Sequence, residues 1–231
     1  MILKNKLTPG NKSQLLDLPT HSIQENRVIW DNYDWSRAGE EWTEHVRMYR
    51  RIDPEKWKSI LVKEMILKYI KTGSSILEIG PGAGRWTEIL SGLAGRLVLA
   101  DISKTCIDIC KERFKTYNNI EFNLIENGLD FLTDRSIDAI WSYDVFVHIN
   151  PSDIDAYLEE FQRILKHGSY GIIHHAGSYS SEKEARHKGF RSYMNGDLFA
   201  ELVTKHGMKM VEQNAKIPHY PGDLISVFTL P

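Results

Sequence analysis

The chain has 231 residues, with 29 basic and 31 acidic side chains and a formal net charge of -2. This near balance provides no overall field that would draw the chain to nucleic acid or to a membrane surface. The length suffices for one α/β domain with a full hydrophobic core, or for one domain with a cap.

The cysteine content and the lack of long apolar runs bear on the cellular compartment in which the protein resides. Cys106 and Cys110 lie four residues apart in a helical pattern, which fits neither a disulfide framework nor a zinc site. No apolar run reaches the roughly 18 residues of a membrane span, and the first residues lack a secretory core. These features predict a soluble, cytoplasmic protein.

Residues 1–52 are predicted to precede the main domain, which would occupy 53–231. Prolines and a glycine among polar residues predict an arm over about the first 25 residues. Residues 30–42, WDNYDWSRAGEEW, are rich in aromatic and acidic side chains and show no clear period. We expect this stretch to act as a lid that excludes water from a bound ligand. Packing against a sheet edge is the alternative.

The rest of the chain alternates between helical and strand patterns. Asp53 and Pro54 have the capping pattern of a helix start, and Gly73 is expected to end that helix. These patterns predict seven strands, over residues 75–79, 96–101, 120–126, 136–143, 170–177, 208–213 and 224–230. The later helices are expected over 103–117, from Pro151 to Gly168, and over 196–205. This order predicts an α/β, Rossmann-like doubly wound sheet of seven strands, mostly parallel with an antiparallel last strand.

A glycine-rich turn follows the first strand. Gly80, Gly82 and Gly84 permit tight backbone angles and close approach of a ligand at the carboxyl end of that strand. The dinucleotide fingerprint would need a further glycine where this chain has Arg85. Glu78 is unfavourable beside a pyrophosphate but suits a positively charged ligand. S-adenosylmethionine, with its sulfonium and ammonium groups, is the cofactor that this pattern favours.

The stretch LEIGPGAGRW, from Leu77 to Trp86, resembles the first motif of the class I S-adenosylmethionine-dependent methyltransferases. The resemblance covers most of the chain from about Trp57 onward. It implies the following cofactor-binding residues: Glu78, Gly80, Pro81, Gly82, Gly84, Trp86, Asp101, Ile102, Asn127, Gly128, Leu129 and Tyr143.

Two of the implied cofactor contacts have competing explanations. Asp101 ends the second strand and would accept hydrogen bonds from the ribose hydroxyls. It could instead cap the next helix, although Ser103 could take that part. Asn127 and Gly128 would read the adenine edge through amide and backbone groups. An Asn-Gly dipeptide is also a strong turn signal by itself.

The stretch after the fourth strand bears on the methyl acceptor. SYDVFVHI lacks the two prolines found after an Asn or Asp in methyltransferases that act on adenine or protein glutamine, which disfavours that amino-methyl transfer. An oxygen acceptor needs a base, and His148 is the first candidate. His174 and His175 are further candidates, of which only one should face the cleft. The alternative is that His148 is structural. His219 is expected on the surface or in the lid.

Several pieces of the chain also resemble sugar O-methyltransferases, among them YDWSRAGEEW, IIHHAG and FRSYMNGDLFA. This resemblance implies a sugar or glycoside hydroxyl as acceptor, with Trp35, Asp144, Arg191 and Tyr193 as substrate contacts. A divalent metal stays undecided, because Asp130 and Asp144 do not make a dense ligand set.

Other functions and partners remain open. A nucleic-acid methyltransferase is disfavoured because the nearest basic stretch, 181–193, mixes charges of both signs. A non-catalytic cofactor-binding protein on the same fold is the other alternative. A homodimer is possible.

Overall fold

The computed structural model describes residues 22–178 and 191–231. Seven strands form one sheet in these residues, in the order β3-β2-β1-β4-β5-β7-β6. The strands are β1 (Ser74–Ile79), β2 (Ala94–Asp101), β3 (Ile120–Leu124), β4 (Ile137–Phe146), β5 (Leu165–Ala176), β6 (Lys209–Asn214) and β7 (Asp223–Thr229). Strands β1 to β5 pair in parallel, whereas β7 runs antiparallel to both β5 and β6. The predicted fold class, with its antiparallel last strand, is confirmed.

Helices cover both faces of this sheet. They are α1 (Ile23–Asp31), α2 (Thr43–His45), α3 (Pro54–Leu61), α4 (Leu67–Tyr69), α5 (Thr87–Leu93), α6 (Lys104–Arg113), α7 (Pro151–Ile164) and α8 (Gly196–Lys205). Wider π-helical turns, Val46–Arg50 and Val62–Ile66, continue α2 and α3. None of the helices within the described ranges combines the length and apolar character that a membrane crossing requires.

Side chains that satisfy free backbone N–H groups fix several helix starts. Asp53 accepts hydrogen bonds from the N–H groups of Glu55 and Lys56, as the sequence predicted. Ser103 caps α6 by accepting from the N–H of Cys106. Asp101 is therefore not the cap of that helix, which removes the main alternative to its predicted ligand role.

The hydrophobic core lies in two layers because strand side chains alternate between the faces of the sheet. One layer includes Leu77, Val98 and Phe161, and the other includes Ile76, Leu97 and Trp141. Both cysteines are buried and unpaired. The carboxyl ends of the parallel strands meet at one edge between these layers, which is where ligands bind in open α/β sheets.

Two local predictions were wrong. The helix α7 ends at Ile164 rather than at Gly168, because β5 already begins at Leu165, which pairs with Ile137. Residues 23–31 form a helix where no regular structure was expected. A capping box fixes its start, in which Ser22 and Glu25 bond each other's backbone N–H groups.

Residues 22–50 pack against the sheet domain. The side-chain amide of Asn26 donates to the carbonyl of His148, and the guanidinium of Arg27 donates to the carbonyl of Ile125. At the other end of this segment, Arg50 donates to the carbonyl of Pro218. The boundary at residue 52 stays a prediction, and the predicted arm lies mostly outside the described residues.

Candidate functional site

A cavity of about 930 Å³, measured out to its open mouth, lies over the carboxyl ends of β1, β2 and β4. Residues of the sheet edge and residues of the N-terminal segment line it together. From the sheet domain these include Ile79, Gly80, Pro81, Gly82, Arg85, Trp86, Asp101, Ile102, Ile125, Tyr143, Asp144, Val145 and His148. From the N-terminal segment they are Ile23, Asn26, Trp30, Trp35, Gly39 and Trp42.

The glycine turn after β1 has left-handed backbone at all three glycines, with φ of +69° at Gly80, +56° at Gly82 and +87° at Gly84. A Cβ at Gly82 would lie 2.9 Å from the ring of Trp35, on the lid side of the turn. At Gly80 and Gly84, the expectation that glycine serves the close approach of a ligand needs correction. Side chains there would meet Val145 at 2.2 Å and Phe114 at 2.4 Å, so close packing within the protein also requires these glycines.

Asp101 lies at the end of β2, with one carboxylate oxygen bonded to the residues that follow β2 and the other to the glycine turn. Its Oδ1 accepts from the N–H of Ser103 at 2.8 Å, and its Oδ2 accepts a long hydrogen bond of 3.4 Å from the N–H of Gly82. Burial raises the pKa of this carboxyl to about 7. Hydrogen bonds from a ligand diol would favour the charged form, which fits the predicted ribose contact.

Glu78 does not line the cavity. It is buried beneath the turn, where its Oε2 accepts from the hydroxyl of Thr87 at 2.7 Å. Burial raises its pKa to about 8. Its Oε1 has no hydrogen-bond partner among the described residues. Because Glu78 is not among the cavity-lining residues, the cavity does not support the predicted direct contact between Glu78 and the ligand. Its unpaired Oε1 lies beneath the glycine turn.

The predicted adenine contacts at Asn127, Gly128 and Leu129 are not at the cavity. Asn127 and Gly128 are exposed in a bend, with φ of +92° at Gly128, as the turn alternative expected. Leu129 is part of the hydrophobic core. Ile125 lines the cavity from this loop instead. Its apolar side chain directly after β3 was the signal that could have identified it.

Aromatic rings form much of the cavity wall. Trp30 lies 6.2 Å from Trp35, and Trp86 lies 5.3 Å from Tyr143, between ring centroids. Tyr33 stacks on Trp42 at 5.6 Å behind this wall. Trp30, Trp35 and Trp42 of residues 30–42, which we call the lid segment, thus line the cavity, and closure of this segment over a bound ligand stays a prediction.

The lid segment is also held by charged groups. Glu40 is 3.2 Å from the guanidinium of Arg85 and 2.9 Å from the ammonium of Lys58. Gly39 is packed so closely that a Cβ there would lie 3.0 Å from Arg85. Arg85, at the position that excluded a dinucleotide fingerprint, therefore connects the glycine turn to the lid segment.

The candidate base His148 lines the cavity and is only 5% exposed. It follows β4 in a turn in which its N–H donates to the carbonyl of Val145. Its ring lies 5.2 Å from the ring of Trp30. His148 therefore lies between the lid segment and the sheet edge, and its part as a base stays a prediction.

His174 and His175 lie on opposite faces of β5, as expected, but neither lines the cavity. His175 is stacked 4.0 Å from Phe199, and its ring nitrogens bond Ser226 and the carbonyl of Ala176. Burial lowers its pKa to about 4. With both nitrogens engaged away from the cavity, His175 is a structural residue, and its nomination as a catalytic base was wrong.

His174 is buried directly behind Asp144, where Nδ1 accepts the N–H of Asp144 at 3.0 Å. The ring stacks 4.2 Å from Tyr143. The lone pair that a base would use is therefore occupied. His174 contacts the site indirectly, through Asp144. Its geometry fits a supporting residue rather than the predicted base.

The predicted substrate contacts are divided between the cavity and its surroundings. Trp35 and Asp144 line the cavity, but Arg191 and Tyr193 do not. Tyr193 packs against the hydrophobic core. Arg191 is 3.6 Å from Asp144 and 3.0 Å from Asp223, both as ion pairs.

Sequence reasoning missed two residues of this buried group. His219 was expected on the surface but is 1% exposed, and Asp223 begins β7 with 1% exposure. The antiparallel β7 brings both to the carboxyl edge of the sheet. Within the described ranges, no group of three or more metal-ligating side chains is positioned to hold a metal ion.

In a comparison with known proteins, residues 76–168 match the model of a family described as a methyltransferase domain. Demethylmenaquinone methyltransferase of Tropheryma whipplei is 32% identical over 104 residues, which is 45% of this chain and 42% of that protein. Phosphoethanolamine N-methyltransferase 1 of Arabidopsis thaliana is 26% identical over 175 residues, or 72% of this chain and 35% of that protein. The chain thus spans less than half the length of these curated relatives.

Solved structures support the same fold at low identity. The N-methyltransferase NodS of Bradyrhizobium japonicum, in complex with S-adenosyl-L-homocysteine, has a TM-score of 0.63 and 17% identity, covering 91% of this chain and all of that chain (100%). The [4+2]-cyclase SpnF has a TM-score of 0.68 and 14% identity, covering 93% and 98% of the two chains. The cyclase shows that the fold alone does not establish methyl transfer.

The sheet order and the matched segment together define the class of protein. Residues 76–168 match the methyltransferase-domain model, and the sheet around them has the Rossmann-like fold of methyltransferases. The narrower resemblance to sugar O-methyltransferases has no support from these comparisons, whose named relatives act on a quinone and a phosphoethanolamine.

Proposed function

We propose that this protein transfers the methyl group of S-adenosylmethionine to a small-molecule acceptor bound in the cavity under the lid segment. One observation carries the proposal. One cavity is lined by Gly82 and Asp101, which we call its cofactor end, and by Asp144 and His148, which we call its acceptor end. A cofactor subsite and a candidate base therefore share one partly enclosed space.

The residues of the cofactor end fit the proposed cofactor. Asp101 would hold the ribose, Ile102 and Ile125 would pack against the adenine, and the backbone of the glycine turn would face the rest of the cofactor. When bound, S-adenosylmethionine supplies an electrophilic methyl group on sulfur and leaves as S-adenosylhomocysteine.

The acceptor end needs a group that takes a proton. As the new bond from acceptor oxygen to methyl carbon forms, the hydroxyl must lose its proton, and His148 is positioned to accept it. The lid segment keeps water out, and the packed wall restricts the orientation of the acceptor. The proton leaves His148 to solvent after the product departs.

A hydroxyl is our first candidate acceptor because oxygen needs a base of this kind. A sugar is one class of compound that carries such a hydroxyl, and this finer assignment rests on sequence resemblance. The wall is mostly aromatic and aliphatic, with few polar groups, which supports a compact acceptor and disfavours an exposed RNA strand. A homodimer and a cytoplasmic location stay predictions.

Labelled S-adenosylmethionine, incubated with the protein and separate panels of sugars, simple alcohols, small amines and RNA, tests this proposal. Transfer of label to a small molecule supports it. Labelling of RNA alone would favour the nucleic-acid alternative. Tight cofactor binding by titration calorimetry without transfer to any panel would favour a non-catalytic protein.

A further inference from the structure

The group of buried residues behind Asp144 has a charge imbalance that the proposed reaction does not explain. Asp144 lies at the end of β4, and its side chain is 10% exposed. Its backbone is left-handed, with φ of +64°, which is strained for a residue other than glycine. Such strain persists only where the surrounding contacts hold it, and those contacts can be traced.

His174 holds the backbone of Asp144. Because Nδ1 accepts the N–H of Asp144, the proton of the neutral ring lies on Nε2, which is 3.2 Å from Oδ2 of Asp223. His174 therefore joins the two aspartates without supplying a positive charge.

His219 holds the side chain of Asp144 in a similar way. The hydroxyl oxygen of Tyr143 accepts the backbone N–H of His219 and lies 3.0 Å from Nδ1 of the same histidine. The other ring nitrogen, Nε2, faces Oδ2 of Asp144 at 3.6 Å. Burial lowers the pKa of His219 to about 3, which keeps its ring neutral at pH 7.

Arg191 is then the fixed positive charge that is paired with both aspartates. Its guanidinium is 3.6 Å from Asp144 and 3.0 Å from Asp223. Burial alone would raise the pKa of Asp144, but its contacts with His219 first and Arg191 next hold that pKa below its usual range. His45, facing this group from α2, has a pKa lowered by burial and adds no charge. Among the described residues of this group, two carboxylates face one guanidinium, so one negative charge is uncompensated within that set.

The excess negative charge adjoins the cavity. Asp144 lines the cavity, and its Oδ1, which is 3.6 Å from Nη1 of Arg191, accepts no hydrogen bond from any described residue. A buried charge is costly unless it is paired. The same cavity is walled by the rings of Trp30 and Trp35, and aromatic faces attract cations. A carboxylate beside several aromatic faces is complementary to a positively charged nitrogen.

We propose that Asp144 is the group that recognises the acceptor, that the acceptor presents a positively charged nitrogen to it, and that His174 is the positioning residue that aims Asp144. This inference rests on the proposed function and specifies its substrate class. The nitrogen can be a recognition group next to a hydroxyl, as in an amino alcohol. It can also be the atom that is methylated once His148 has removed its proton.

A charged probe and a neutral probe of the same shape test the proposal without turnover. We would titrate choline and 3,3-dimethylbutan-1-ol into the full chain, with and without S-adenosylhomocysteine, and follow tryptophan fluorescence. Choline should bind about tenfold or more tightly than the neutral alcohol. In Asp144→Asn this preference should disappear while the affinity for the neutral alcohol stays unchanged. Asparagine has the same shape and removes the excess charge, so this variant should fold.

Equal affinity for the two probes in the wild-type protein would overturn the proposal. A choline preference that survives in Asp144→Asn would also overturn it, because the aromatic wall alone would then be responsible. If Asp144→Asn weakened S-adenosylmethionine but not S-adenosylhomocysteine, the cofactor's sulfonium would be the partner instead. Failure of both cofactor forms to bind would count against the proposed function, whereas the probe preference can be measured without them.

Variants of His174 test its positioning role. In His174→Asn the side-chain oxygen can still accept the N–H of Asp144, so most of the choline preference should remain. In His174→Leu that bond is lost, and the preference should fall severalfold while the affinity for the neutral alcohol changes little. Equal preference in the two variants, with both folded by circular dichroism, would show that His174 only fills space.

Discussion

The two ends of the cavity are built in different ways. The cofactor end comes from a short run of chain, the turn from Gly80 to Gly84, together with Asp101 at the end of the neighbouring strand. The acceptor end combines residues of β4, β5 and β7 with the segments before β7 and α8. A local turn can be recognised in a sequence, whereas a group assembled across the sheet becomes visible only after folding.

The two ends also differ in how they treat charge. At the cofactor end, burial raises the pKa of Asp101 to about 7, so this acid can be neutral until a ligand arrives. At the acceptor end, the pKa of Asp144 is held below its usual range and the carboxylate stays ionised. The first acid is therefore set to respond to binding, and the second is a permanent charge.

The largest expected effect separates catalysis from binding. His148→Gln should lower kcat by about a hundredfold or more, because general-base help is commonly worth about 10²- to 10⁴-fold. Affinity for S-adenosylhomocysteine should stay near wild type, since His148 belongs to the acceptor end. His206→Gln is the matched control, because His206 bonds Asp155 on the surface. Equal activity in His148→Gln and wild type would exclude His148 as the base.

Substitution in the glycine turn should affect folding as well as binding. Gly80→Val would place its Cβ 2.2 Å from Val145 at a φ of +69°, so we expect a loss of about 2 to 3 kcal/mol in the free energy of unfolding. Gly92→Ala is the control, because its Cβ would meet nothing within 4 Å in α5. It should be neutral or slightly stabilising. Chemical denaturation measures both, and unchanged stability in Gly80→Val would show that Val145 moves aside easily.

The response of Asp101 to pH should sharpen the contrast between the two acids. Hydrogen bonds from the ribose favour the ionised carboxylate, so cofactor affinity should rise as the pH rises through about 7. We expect an increase of up to about tenfold between pH 6 and pH 8. Asp101→Asn should bind more weakly at pH 8 and should lose most of this dependence. Titration calorimetry with S-adenosylhomocysteine measures it, and a flat profile in the wild type would contradict the ribose assignment.

The smallest expected effect concerns the lid segment, which we predict to close over a bound ligand. Glu40→Gln removes the ion pairs with Arg85 and Lys58, so limited proteolysis within residues 30–45 should speed up severalfold. S-adenosylhomocysteine should slow cleavage of the wild type by occupying the cavity beneath the segment. Glu44→Gln, whose carboxylate pairs with Arg47 at the surface, is the control. Cleavage that ignores the ligand would indicate that the segment only packs against the sheet edge.

The sequence by itself determined the sheet, the glycine turn and the position of Asp101, because each depends on short-range signals. Alternating apolar patterns fix strands, glycines permit left-handed turns, and an acid at a strand end needs only its own strand to be located. His148 could be predicted for the same reason, as it follows β4 directly.

Only the tertiary structure decided which of the remaining polar residues belong to the site. Asn127 and Gly128 have the right spacing but turn away from the cavity, and His175 points to the opposite face of β5. His219 and Asp223 were not predicted, because the antiparallel return of β7 brings them beside Asp144 from more than 70 residues away, where β5 pairs with β7. The charge of a buried group depends on residues from distant segments. Which of those residues meet is decided by the tertiary fold and cannot be read from local sequence patterns.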